Sequence, residues 1–365
     1  MHISELQINN YRNFSNFKID LHPFSLIIGE NNSGKTNLLE ALGLIFSQDI
    51  TFFKKRILEL DDINYARIEQ FKDEIKNEAI AIEDIFFPEV LVEVVLEGMD
   101  VEQKAVAGDW FINKDLSKAK LSYLFRIRES WKDRNDWLDK ERERSKANPK
   151  HVIDFPIKHF EYVIYGGGEP SNRADSYFLR MFKMELLDAL RDASRELVAS
   201  GDYRLLYKIL NNRDEEKFSD IKDKLTDLQT LLDEHSELQD IRSGIEEYLQ
   251  KISLQENDRE NTVGFNFTAP EAVELLKKIS LSYGESPLSV DRNGLGRNNL
   301  LYIALVLSHL AGESYGANYT FFRIVGIEEP ESHLHPHLQD HLAKNIEAEC
   351  REDMQLILTS HSAHI

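Results

Sequence analysis

The stretch that decides the fold reads Phe24-Ser25-Leu26-Ile27-Ile28-Gly29-Glu30-Asn31-Asn32-Ser33-Gly34-Lys35-Thr36. A short apolar run ending in glycine suits a buried strand. Its last eight residues fit G-x-x-x-x-G-K-[ST]. Such a loop wraps backbone N–H groups around phosphates, which requires small residues and positive φ angles. Gly29 and Gly34 supply them, Asn32 tolerates the left-handed region, and Asn31 and Ser33 complete the loop. The run from Asn37 to Phe46 predicts a helix that aims its N-terminus at the anion. Lys35 adds a point charge for the β- and γ-phosphates, and Thr36 offers a hydroxyl to Mg²⁺. The expected ligands are therefore ATP and Mg²⁺.

Working outward, Ile3, Leu6 and Ile8, then Phe17, Ile19 and Leu21, alternate as strands of a hairpin do. Val90 to Leu96 reads as a further strand. Far downstream, Phe321 to Ile327 predicts an apolar strand that stops in Glu328-Glu329-Pro330-Glu331. Adjacent acids at the end of a buried strand repel one another and lose hydration. A bound Mg²⁺ and a positioned water relieve that cost. Glu328 is then placed for the Mg²⁺ shell, and Glu329 to orient or deprotonate the water that attacks the γ-phosphate. Read alone, the same residues fit a strand running out into a polar turn.

Leu338 to Ala348 looks helical, and Gln355 to Thr359 reads as a strand leading into Ser360-His361-Ser362. Ligands of α/β sheets bind beyond the carboxyl ends of parallel strands. His361 is thus a candidate hydrogen-bond partner of the γ-phosphate. The turn Asn293 to Asn299, with Gly294, Gly296 and Arg297, precedes an apolar helical run and could seat a second phosphate. Two such elements on one nucleotide are redundant. The turn makes sense if it docks on the ATP of another subunit; the alternative is a plain loop and helix start. His333, His335, His337 and His341 invite a zinc reading. No further ligand set accompanies them, so a turn facing a partner subunit or the nucleotide is the competing assignment.

Composition narrows the function classes. The 44 lysines and arginines against 64 acids leave a net charge of −20, which disfavours non-specific coating of nucleic acid. The lone Cys350 excludes an intrachain disulfide and a multi-cysteine zinc site, and fits a reducing cytoplasm. No run of about 18 apolar residues suggests a membrane span. Residues 111–150 carry 12 basic and 7 acidic residues, and residues 211–260 carry 7 and 15. The acidic stretch places Ile221, Leu225, Leu228 and Leu232, then Leu238, Ile241, Ile245, Leu249 and Ile252, mostly three or four apart, as in amphipathic helices. It reads as an inserted helical arm; a surface bundle packing on its own chain is the alternative.

In this order the motifs resemble the ABC-type ATPases of the RecF and structural-maintenance class, and within it the OLD family of ATP-dependent endonucleases. Asn10-Tyr11-Arg12-Asn13-Phe14 looks like the opening signature of that class, and the resemblance nominates Arg12 as a contact to bound nucleotide. Gly29 to Thr36 takes the Walker A place. Leu187 to Asp192 is similar to a stretch that precedes the helical dimerisation insert. Asn293 to Asn299 stands where the ABC signature does, without its Leu-Ser-Gly-Gly-Gln wording. Glu328 to Pro336 resembles the Walker B and D-loop region, and His361 the switch histidine. The stretch from Asp84 to Phe87 is the candidate Q-loop.

The fold this implies is α/β, an ABC/RecF-like P-loop ATPase domain with an inserted helical arm. The expected divisions are an N-terminal lobe at 1–110, a mixed-charge insert at 111–175, a helical dimerisation insert at 176–265 and a C-terminal lobe at 266–365. The resemblance further implies a homodimer or higher homo-oligomer and control of a DNA endonuclease in anti-phage defence. The nuclease part that follows the switch histidine in OLD proteins is not found in these 365 residues. It is expected on a missing domain or a partner chain. The competing expectation is a RecF-like DNA-binding clamp, with residues 111–150, including Trp131, Trp137, Arg142 and Arg144, as its DNA surface.

Overall fold

The computed structural model describes residues 1–47, 55–148, 150–187, 206, 231, 234–252, 281–283, 288–289, 292, 294–312, 320–332, 334–347 and 354–362. Two compact units divide the chain, Met1–Arg191 with Leu310–Ile365, and Asp192–His309. The first unit begins with β1 (His2–Tyr11), β2 (Phe14–Asp20), β3 (Phe24–Ile28) and α1 (Lys35–Phe46). It continues through α2 (Tyr65–Lys76), β4 (Val90–Glu97), α3 (Val101–Ala107), β5 (Lys118–Ile127), α4 (Arg134–Ala147), β6 (Phe160–Gly166), α5 (Ser176–Leu179) and β7 (Phe182–Leu187). The second unit carries α6 (Ser236–Ile252), β8 (Ser282–Tyr283), β9 (Leu288–Ser289) and most of α7 (Leu295–Gly312). The first then resumes with β10 (Phe322–Glu328), α8 (Pro336–Ile346) and β11 (Met354–Ser360).

Two sheets organise the first unit. Strands β2-β1-β4-β5-β6 form an antiparallel sheet, and β3-β11-β10-β7 form a parallel one. The hairpin pairs Leu6 with Ile19 and Ile8 with Phe17, so the expected alternation sets its register. β4 alternates buried and half-buried side chains along its length, as a strand with one covered face does. β10 and β11 are buried at every position, as strands covered on both faces are. Gly326 shows how closely β10 is covered: a Cβ there would lie 3.0 Å from Leu186 and 3.3 Å from Leu39 of α1.

A buried glutamine clips the two sheets together. Gln355 of β11 accepts from Ile3 N–H at 2.8 Å and donates to the carbonyls of Ile3 and His22, both at 2.9 Å. The far end of α1 is fixed by Arg56, which donates to the carbonyls of Leu44, Ile45 and Ser47. An arginine there satisfies carbonyls that a helix end leaves unpaired.

The middle of the chain departs from the expected divisions. Residues 111–175 do not stand apart as an insert: they supply β5, which is interior to the antiparallel sheet, and β6, which pairs with it. The apolar positions Leu121, Tyr123, Phe125 and Ile127 decide this, because core burial outweighs a surplus of surface lysine and arginine. β7, inside the expected 176–265 insert, pairs with β10 in the parallel sheet. Within the second unit, α6 carries Ile241 and Ile245 four residues apart, 52% and 40% exposed. Ile221, Leu225, Leu228 and Leu232, Asp188 to Asp192 and residues 253–265 lie outside the described residues.

Candidate functional site

β3 hands the chain to the phosphate loop, and the loop to α1. Gly29 N–H donates to Ser360 of β11 at 3.2 Å, which anchors the start of the loop to the sheet. Asn32 and Gly34 take φ values of 63° and 102°, left-handed as expected, whereas Gly29 does not and serves instead by its small size, since a Cβ there would lie 2.7 Å from Ser33 Oγ. A Cβ on Gly34 would lie 2.4 Å from Asn13 Nδ2 and 2.9 Å from Phe14, so only glycine fits. Lys35 is 9% exposed and donates through Nζ to the carbonyls of Gly29 at 2.7 Å and Glu30 at 2.9 Å. Its ammonium is thus held inside the loop.

At the carboxyl ends of β10 and β11 the second set of residues gathers. Glu329 has φ 42°, strained for a non-glycine residue and more so before proline. Its N–H donates to Thr359 O and its carbonyl accepts from Ser332 N–H, both at 2.9 Å, and these hold the turn. His361 Nδ1 lies 3.4 Å from Glu329 and 3.6 Å from Glu331. Glu328, the last residue of β10, is buried.

One cavity of about 180 Å³ brings Glu329 of the second set to the loop, while Glu328 and His361 are not among its lining residues. Asn13, Asn31, Asn32, Gly34, Lys35, Thr36, Asn37 and Glu329 line it. Residues 294 positions apart in sequence, Lys35 and Glu329, therefore face the same space. Asn13 belongs here although the motifs nominate only its neighbour Arg12. It donates to Ser33 O at 3.1 Å and accepts from Asn37 Nδ2 at 2.7 Å, bracing the loop against the hairpin turn. The signal was its place beside Arg12 in Asn10 to Phe14.

Arg12 is not among the lining residues. Its guanidinium pairs with Glu40 of α1 and with Asp62 at 2.9 Å, and also donates to Asn37 at 2.8 Å. Burial alone would raise the Glu40 pKa, but the hydrogen bond from Lys55 and the charge of Arg12 outweigh it and hold the carboxyl below its usual range. In this arrangement Arg12 braces the second turn of α1.

The remaining nominated residues are dispersed. Gly294 accepts from Arg297 N–H at 3.0 Å, and Gly296 and Arg297 lie inside the first turn of α7 in the second unit. The Gly-x-Gly element is thus a helix start. Ile85, Phe86 and Phe87, within the expected Q-loop, line another cavity of about 630 Å³, and Asp84 does not. His335 and His337 stack with ring centres 5.4 Å apart. His333, and the side chain of His341, lie outside the described residues. Among the described residues no three ligating side chains cluster for a metal.

The proposed DNA surface is rearranged by the fold. Arg142 donates to the carbonyls of Ile75 and Ile80 at 2.8 and 2.9 Å. Arg144 pairs with Glu141 at 2.7 Å. Trp131 and Trp137 pack with Phe87 in an aromatic cluster, and Trp131 stacks on His159 at 4.0 Å. Arg142 and the two tryptophans serve packing first, while Arg144 is exposed. No helix among the described residues is long and apolar enough to cross a membrane.

Comparison with known proteins agrees with this geometry. DNA replication and repair protein RecF of Oceanobacillus iheyensis is 39% identical over 71 residues, 19% of this chain and 19% of that protein. RecF of Latilactobacillus sakei is 51% identical over 43 residues, 12% of each. The chain thus matches less than a fifth of the length of these relatives. The crystal structure of the SmcHead bound to the C-winged helix domain of ScpA superposes with a TM-score of 0.51 at 14% identity, over 100% of this chain and 90% of that one. That likeness shows the fold, an α/β ABC-type P-loop ATPase fold of the SMC-head kind. The family model described as AAA ATPase domain matches residues 1–365, and the chain belongs to that family.

Proposed function

We propose that this chain binds and hydrolyses Mg-ATP, closes on a second copy when ATP is bound, and passes its nucleotide state to a DNA-processing partner. The observation that carries the reading is that Lys35, Thr36 and Glu329 line one cavity. Phosphate binding falls to the loop N–H groups, the N-terminus of α1 and the Lys35 ammonium. Thr36 and Glu328 offer the oxygen donors a hard divalent cation prefers, and are the residues that would hold Mg²⁺. When bound, Mg²⁺ neutralises phosphate charge. Glu329 orients the attacking water and accepts its proton. His361 reads the presence of the γ-phosphate. Gly294, Gly296 and Arg297 dock on the nucleotide of the second copy, and the exposed Ile241 and Ile245 give α6 an apolar face for contact between copies.

The likeness to RecF, a DNA replication and repair protein, supports coupling to DNA. The wording of Glu328 to Pro336 favours one form of that coupling, the gating of an endonuclease in the OLD manner, in a domain or partner beyond these residues. A clamp without a nuclease role is the second reading, favoured by the RecF matches. Sizing the protein with and without ATP tests the first claim, with Glu329→Gln to trap the bound state. We expect a shift to a dimer or larger with ATP; a monomer in every condition removes the trans role of Gly294 to Arg297. For the DNA surface, the test is Lys132→Glu with Lys140→Glu, because both lysines are exposed while Arg142 is bonded to backbone carbonyls. Loss of DNA binding at low salt favours the clamp; unchanged binding favours the gating of a nuclease.

A further inference from the structure

Beyond the residues assigned above lies a buried carboxylate that the reading of the site does not use. Glu331 is 2% exposed, two residues past Glu329. Its Oε1 accepts from the Ser360 hydroxyl at 2.6 Å and from the His361 N–H at 3.1 Å. Glu331 is thereby bonded to both the side chain that ends β11 and the backbone of the histidine that follows.

The bonds continue into a closed circuit. Ser360 Oγ accepts from Ser362 N–H at 2.9 Å. The Ser362 hydroxyl donates to Gln339 of α8 at 3.1 Å. Gln339 donates to Leu334 O at 3.0 Å, and Leu334 N–H returns to Glu331 O at 2.9 Å. Three links, Ser360 and His361 to Glu331 and Ser362 to Gln339, join the segment after β10 to the end of β11 and the residues that follow; the others brace each segment internally. Burial of Ser360 and Glu331 strengthens these bonds, since a buried polar group left without its partner is costly.

His361 occupies the middle of this arrangement. Its ring lies 3.4 Å from Glu329 and 3.6 Å from Glu331, and its backbone N–H is bonded to Glu331. The strained Glu329 backbone is set by the same turn that Glu331 completes. Fixing the main chain of one residue and the turn of the other fixes the distance between the two functional groups.

We propose that Glu331 is a positioning residue that locks the Ser360–His361 segment to the Glu329 turn, so that histidine and glutamate act on the γ-phosphate as one unit. The proposal rests on the ATPase reading above. The test measures ATP affinity and turnover of wild type, Glu331→Ala, Glu331→Gln, His361→Ala and the E331A/H361A double variant, well below each melting temperature. Glu331→Ala is expected to lower kcat roughly a hundredfold, as misplacement of a reacting group does, with ATP affinity within about threefold of wild type. Glu331→Gln keeps an acceptor for both donors and is expected to recover most of the rate. In the H361A background the E331A change is expected to cost nothing further, since groups that act as a unit are non-additive. The proposal is overturned if E331A turns over at the wild-type rate, or if its loss multiplies fully onto that of H361A. A wild-type chain that neither binds nor hydrolyses ATP overturns the ATPase reading together with this one. Active wild type, inactive E329Q and undiminished E331A overturn this one alone.

Discussion

In the five-stranded sheet neighbouring strands run in opposite directions, so each rim mixes starts and ends of strands. In the four-stranded sheet all strands run the same way, and one rim collects every carboxyl end. Gly29, Glu329 and His361 follow β3, β10 and β11 on that rim. The antiparallel sheet contributes Asn13, from its hairpin turn, to the cavity lining. Parallel pairing is therefore what brings the first and last hundred residues to one cavity, while the antiparallel sheet backs and braces it. The burial patterns agree: half-covered alternation in β4, full burial in β10 and β11.

Substitutions should separate the two roles. The largest effect is expected at the parallel rim. Lys35→Ala should weaken ATP binding by about a hundredfold, the scale of removing one preorganised charge from a phosphate site, with the melting temperature without ATP unchanged. Titration with a fluorescent ATP analogue reads this. A melting temperature that falls with binding would place Lys35 among the supporting residues instead. Gly34→Ala comes next, because it forces a side chain to φ 102° and into Asn13 and Phe14. A cost of about 2 kcal/mol in urea unfolding, with ATP binding lost in the folded protein, is the expected outcome.

Gln355→Leu tests the joint between the sheets. It strands Ile3 N–H and the carbonyls of Ile3 and His22 without their partner. Stability should fall by about 2 kcal/mol, with ATP affinity of the folded fraction retained. Loss of affinity at full folding would show that the joint sets the site directly.

The smallest effect is expected at the brace of α1. Glu40 has its folded pKa below the ordinary 4.5, because Lys55 and Arg12 outweigh the cost of burial. Its contribution is present above the unfolded value and is lost as pH falls through the folded one. Glu40→Gln should therefore lower stability at neutral pH and flatten the acid side of the stability curve. An acid limb identical to that of wild type would remove Glu40 from the brace.

Much of the rim was legible because its chemistry is confined to short, contiguous stretches. Gly29 to Thr36, Glu328 and Glu329, and His361 each carry a local pattern of strand end and polar group. The bracing residues lack such a pattern. Gln355 reads as one polar residue in an apolar strand, and its partners lie 352 and 333 positions away. Glu331 reads as a third acid in a turn until Ser360 is brought beneath it. Across residues 111–150 the charge count drew attention from the alternation in Lys118 to Ile127, which sets β5. Arg142 reads as a surface cation, yet it bonds the carbonyls of Ile75, in the last turn of α2, and of Ile80 beyond it.

The most direct test of the central claim is ATP binding and turnover measured in parallel on Lys35→Ala and Glu329→Gln. A shared site predicts that E329Q binds ATP with near wild-type affinity but has lost turnover, while K35A has lost both. Wild-type turnover by E329Q would contradict the account, since the two side chains would then not serve the same triphosphate.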